Sequence, residues 1–140
     1  MKGDRIPNQD NIARFCRPMQ VYEGQVQSTA FMVREGELSL SVDWLEALNC
    51  PSREEAITRI REVYDSRLRV GAQAKISILN AGEVCEKVQT ESPDERKLDI
   101  LHDPFDGDIS HSGIYNLRAD DEFIAELILE TVSETHQARS

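Results

Sequence analysis

The chain has 140 residues, with 26 acidic side chains against 16 lysines and arginines and a formal charge of −10; apolar residues make up 39% and charged residues 30%. A surface that neutralises nucleic-acid phosphates needs a basic face, so nucleic-acid binding is disfavoured. A membrane span needs about 20 apolar residues, whereas the longest unbroken apolar run, residues 30–33, has four, which leaves a single globular domain able to bury roughly 68–70% of its unfolded surface without staples.

Residues 1–20 carry Pro7 and Pro18 and little periodicity, and read as an irregular N-terminal arm with at most one helical turn around residues 12–15. From there a single α+β domain is expected over 21–135, followed by a frayed tail over 136–140. Residues 26–33 are rich in β-formers, Gly36 supplies a turn, and the alternation in 38–42 suggests a second strand that pairs with the first as a hairpin. Trp44, Leu45 and Leu48 share the face of a short helix, and Ser52 with Glu55 forms a capping box at the start of a helix running to about Ser66. Alternation over 68–79 predicts a strand with one buried face; Asn80 with Glu83 repeats the cap before a short helix. Residues 97–102 read as a strand ended by Asp103-Pro104. Residues 103–118 read as a long irregular segment, and Phe123, Ile124, Leu127, Ile128 and Val132 form the stripe of a last helix. The expected fold class is therefore α+β: a small mixed sheet of about four strands with three to four helices, packed mainly on one face.

The segment 102–115 concentrates chemistry. It holds two of the three histidines with three aspartates, two serines and a tyrosine, on a loop between a strand and a helix, where a rigid scaffold commonly presents binding groups. His102, Asp103 and His111 are the candidate catalytic residues, as acid/base or metal-ligating groups if the loop folds back, and Asp108, Ser112, Tyr115 and Arg17 are candidate binding residues. The spacing matches no metal signature, neither H-E-x-x-H nor an EF-hand loop, so no metal and no cofactor is expected. Turns also favour aspartate, glycine, serine and proline, and a histidine at a strand end often bridges a loop to the body, so an ordered structural loop is the competing reading. A serine nucleophile finds no G-x-S-x-G elbow. Arginines 5, 14, 17, 34, 53, 59, 61, 67 and 69 form a second, cationic constellation, read mainly as a solvated face but leaving room for a local arginine site.

Cys16, Cys50 and Cys85 are odd in number and lack CxxC spacing, so they read as small core hydrophobes. With no apolar leader near the N-terminus, a reducing cytoplasm is the expected compartment. Charge is uneven: residues 1–90 sum to −1 and residues 91–140 to −9, so the two halves are set to attract each other. Ala30-Phe31, the run 40–46, residues 78–82, His102-Asp103-Pro104 and residues 110–114 resemble a group of small bacterial proteins without an assigned activity; the resemblance implies a stand-alone bacterial cytosolic domain and carries over no functional residues. The functional expectation is an accessory or regulatory module, more a binder than an enzyme, docking through its acidic C-terminal half on a protein with a basic surface. A homodimer is compatible with it, and no membrane is involved. The alternative is a small metal-dependent hydrolase or transferase using the 102–115 loop.

Overall fold

In a computed structural model that describes residues 2–139, the strand at the middle of the sheet comes from the expected arm. This strand, β1 (Asn11–Cys16), turns Ile12 and Cys16 to one side and Ala13 and Phe15 to the other, all four buried. A strand apolar on both sides is stable only where both faces are covered. Met1 and Ser140, the ends of the expected arm and tail, lie outside the described residues.

The remaining elements are β2 (Val21–Tyr22), β3 (Gln25–Val26), β4 (Ser39–Trp44), α1 (Arg53–Arg67), β5 (Lys75–Asn80), α2 (Ala81–Glu91), β6 (Asp99–His102), β7 (His111–Tyr115), α3 (Glu122–Glu130) and β8 (Val132–Gln137), with 3₁₀ turns at Pro18–Gln20, Ser28–Phe31 and Leu45–Leu48. Six strands form one sheet in the order β6-β7-β4-β1-β5-β8, and β2 and β3 make a separate ribbon. The α+β class holds, but the sheet is larger than four strands, and its pairings are antiparallel throughout rather than mixed. Nor do the helices share one face. Ala56, Ile57, Ile60 and Tyr64 of α1 pack with Ala13, Phe15, Ile76 and Ile78 on one side. Val84 and Val88 of α2 and Ile124, Leu127 and Ile128 of α3 pack with Ile12, Leu40, Val42 and Leu79 on the other. Each such isoleucine or leucine contributes about 1.5–3 kcal/mol by leaving water.

Other sequence expectations are redrawn by pairing. The hairpin expected between residues 26–33 and 38–42 does not form; β4 pairs with β1 and β7 instead. The Gly36 turn is real, with Gly36 at φ +87 and the Glu37 amide donating to the Arg34 carbonyl at 3.0 Å. The strand expected from residue 68 begins only at Lys75. Five residues of the segment read as irregular are β7, and β8 runs on into the tail read as frayed, as far as Gln137. The arm is built into the sheet a second time: the amides of Gly3 and Ile6 donate to His102 and Ile100, and the His102 amide donates to Asp4, so residues 3–6 cover the β6 edge. Among the described residues no helix is long and apolar enough to cross a membrane.

Candidate functional site

The 102–115 segment forms a hairpin around a tight turn. Phe105 and Asp108 exchange backbone hydrogen bonds of 3.2 and 2.9 Å, with Gly107 at φ +94 between them. His102 is opposite Ser112 in the β6/β7 register, so it shares that residue's face, and His111, one position away, points to the other. The two rings therefore do not converge. The His102 Nε2–H donates to the Ile109 carbonyl at 2.8 Å and its ring meets Trp44 edge-on at 5.0 Å. The His111 Nδ1–H donates to the Asp103 carbonyl at 2.9 Å, which leaves Nε2 to accept from the Ser41 hydroxyl at 3.3 Å. Both histidines tie the loop to the sheet. Asp103 pairs with Lys2 at 3.5 Å, buried Ser112 donates to the Ser110 carbonyl at 3.1 Å, and Tyr115 sits half-buried at the end of β7. Among the described residues no group of three or more histidine, cysteine, aspartate or glutamate side chains is arranged to hold a metal ion.

Asp108 and His111 belong to a different constellation, which opens where two central strands part. The β1/β4 ladder runs only through Ile12–Trp44 and Ala13–Asp43. Beyond it the Arg14 side chain takes the place of a backbone partner, donating from Nη1 to the Ser41 carbonyl at 3.0 Å and from Nε to the Ala30 carbonyl at 2.7 Å. The resulting cleft, about 150 Å³, is lined by Arg14, Arg17, Arg34, Arg67, Asp43 and His111 among others. The Tyr64 hydroxyl, at the inner end, donates to the Ala13 carbonyl at 3.4 Å, and its ring packs on Phe15 with centroids 5.2 Å apart.

Two buried carboxyls sit beneath this cleft. Asp108 Oδ2 accepts from Arg67 at 2.6 Å, and Oδ1 from the Ser110 hydroxyl at 2.9 Å and amide at 3.2 Å. The Arg67 guanidinium also stacks over Phe105 at 4.9 Å. Asp43, only 1% exposed, forms no ion pair among the described residues. Burial, reinforced by the adjoining Asp108, pushes its pKa up to about 9; the pull of Arg67 and Ser110 in the opposite direction is weaker. Its carboxyl therefore keeps its proton at neutral pH, and its buried Oδ2 has no hydrogen-bond partner among the described residues. Burial and the same two carboxyls drive the Tyr64 hydroxyl well above its ordinary range.

On the far side of the sheet, α2 and α3 lie side by side and present glutamates outward. Lys87 bridges Glu91 at 2.9 Å and Glu130 at 3.0 Å. Glu83, Glu86, Glu122 and Glu126 take part in no ion pair among the described residues, and Phe123 is half exposed between the last two. Comparison with family models, curated proteins and solved structures returns no match.

Of the residues singled out in the sequence, Arg17, Asp108 and His111 contribute to the cleft or its floor, whereas His102, Asp103, Ser112 and Tyr115 do not line it. Asp43 and Tyr64 escaped sequence reasoning, and Arg14 and Arg67 were legible only as members of a general cationic set. Asp43 alternates with Leu40 and Val42 on what reads as the solvent side of a strand, and only the packing of α1 and the 103–110 hairpin over that side buries it.

Proposed function

We propose that this protein is a small accessory or regulatory interaction module that docks on a basic protein surface through the layer formed by α2 and α3. The observation that carries this reading is the set of four glutamates without ion pairs among the described residues on two adjacent helices, with the Phe123 ring half exposed between Glu122 and Glu126 on α3. Helical spacing puts Glu126 three residues after Phe123 on α3, and Glu122 directly precedes it, so the ring has acidic neighbours on its own helix. An aromatic anchor rimmed by charge is the usual composition of a binding hot spot, where the apolar contact supplies affinity and the charges steer approach. An open groove of about 790 Å³ runs beside α2, lined by Glu83 and Glu86 but also by Arg5 and Lys97.

A titration of isotope-labelled protein with a lysine- and arginine-rich decapeptide, followed by amide NMR shifts, tests this reading. The shifts are expected to concentrate in α2 and α3, to weaken with salt, and to shrink in Phe123→Ala, which leaves the charge untouched. Shifts spread evenly over the acidic surface and identical in Phe123→Ala would show only general attraction to a chain of this charge.

A further inference from the structure

Arg14 is a cation that takes part in no ion pair among the described residues. Its guanidinium is withdrawn from water far enough for burial to lower its pKa, and it is held by two backbone carbonyls rather than by a carboxylate. Buried charges are ordinarily paired, because an uncompensated one carries a large desolvation cost. Arg17 and Arg34, both exposed at the same cleft, also take part in no ion pair among the described residues. Arg67 is already neutralised by Asp108. The lining carboxyls are Asp43, which is protonated, and Glu37, one oxygen of which is held by the Arg34 amide at 2.5 Å. Three free guanidinium groups against one carboxylate leave the cleft at about +2 in a chain of net charge −10.

We propose that this cleft binds a small phosphate-type dianion, either inorganic phosphate or the phosphoryl group of a small phosphomonoester, with Arg14 as the inner ligand and Arg17 and Arg34 as the outer ones. The volume of about 150 Å³ corresponds to roughly five water molecules, enough for one tetrahedral group and its attachment. Guanidinium forks match phosphate oxygens in pairs, and Arg14 is already fixed by its carbonyl bonds, so little freedom is lost when the anion arrives. The hydroxyl of Ser39, which also lines the cleft, supplies a further donor.

Calorimetric titration of the full chain with inorganic phosphate, at ionic strength matched with chloride, is the direct test, paired with the melting temperature in the same buffers. One saturable site and a melting temperature that rises with phosphate but not with chloride are expected. Arg17→Gln and Arg34→Gln are each expected to weaken binding by about tenfold, the loss of one charge-assisted hydrogen bond. Arg14→Gln is expected to abolish binding, but it also cuts the link between Ala30 and Ser41, so the two exposed variants decide the matter. A parallel titration with glycerol phosphate distinguishes the sources: tighter binding than inorganic phosphate identifies an ester, weaker binding the free ion. Absence of a saturable response to both ligands, or a response unchanged in Arg17→Gln and Arg34→Gln, would overturn the proposal.

Discussion

Asp43 shows how one residue acquires chemistry from its neighbours. Its folded pKa of about 9 lies far above the ordinary value of 3.8 that it regains on unfolding, so between these limits the native state holds a proton that the unfolded chain releases. Its contribution to stability is therefore fully present below about pH 4 and lost as pH rises through about 9. We predict that Asp43→Asn flattens this dependence. Between pH 5 and 8 the difference in unfolding free energy between the variant and the parent should grow by on the order of 1 kcal/mol per pH unit in the variant's favour. Urea unfolding at several pH values measures it, and parallel profiles would rule out a buried neutral acid. The histidines carry the opposite lesson, since their chemistry is spent on structure. His102→Ala removes the bond to the Ile109 carbonyl and the edge contact with Trp44, at an expected cost of about 1–3 kcal/mol. The phosphate response should persist in that variant, because His102 lies outside the cleft. A variant as stable as the parent would mean that His102 does not tie the loop.

Elements with local causes were legible in advance, and those made by distant pairing were not. The Ser52 hydroxyl accepts from the Glu55 amide at 3.2 Å and Asn80 Oδ1 from the Glu83 amide at 2.9 Å, so both caps occur where the residue types demand them. By contrast β1 begins with Asn11, β7 is composed of histidine, serine, glycine, isoleucine and tyrosine, and β8 is a largely polar edge strand. Their identity as strands comes from partners far along the chain. The cleft shares that origin, because it exists where the β1/β4 ladder stops, and no local motif marks such a point. At the start of α2 a tertiary contact also reverses a local preference. Helix propensity alone makes alanine about 1 kcal/mol better than glycine. A β-carbon at Gly82, however, would meet the Asn8 carbonyl oxygen at 2.8 Å, and the Gly82 amide donates to that same oxygen at 3.0 Å. Gly82→Ala is expected to lower stability by about 1–3 kcal/mol through overpacking, measured by chemical denaturation; a stabilised variant would show that the arm yields without cost.

At the scale of the whole molecule, the charge asymmetry resolves into pairs that join the two halves and a remainder that faces outward. Lys2–Asp103, Arg5–Asp99, Arg53–Glu134, Arg67–Asp108 and Lys87–Glu130 all cross from the first 90 residues to the last 50. The exposed ones are worth at most about 1 kcal/mol each, so their main effect is to use up acids that would otherwise be free. Glutamates without ion pairs among the described residues are left over on α2 and α3, two of them flanking Phe123, while Arg14, Arg17 and Arg34 are left over at the cleft. The proposed docking surface and the proposed anion cleft are built from different residues and should fail separately. The most direct measurement is quantitative affinity capture from a lysate of the source organism at low salt, comparing the parent chain, Phe123→Ala and the double variant Arg17→Gln, Arg34→Gln. The account predicts a protein retained by the parent and the arginine variant, released by salt, and depleted at least tenfold with Phe123→Ala, the loss that follows from removing one anchor worth about 1.4 kcal/mol or more. The same proteins in the same amounts on the parent and on Phe123→Ala would contradict it.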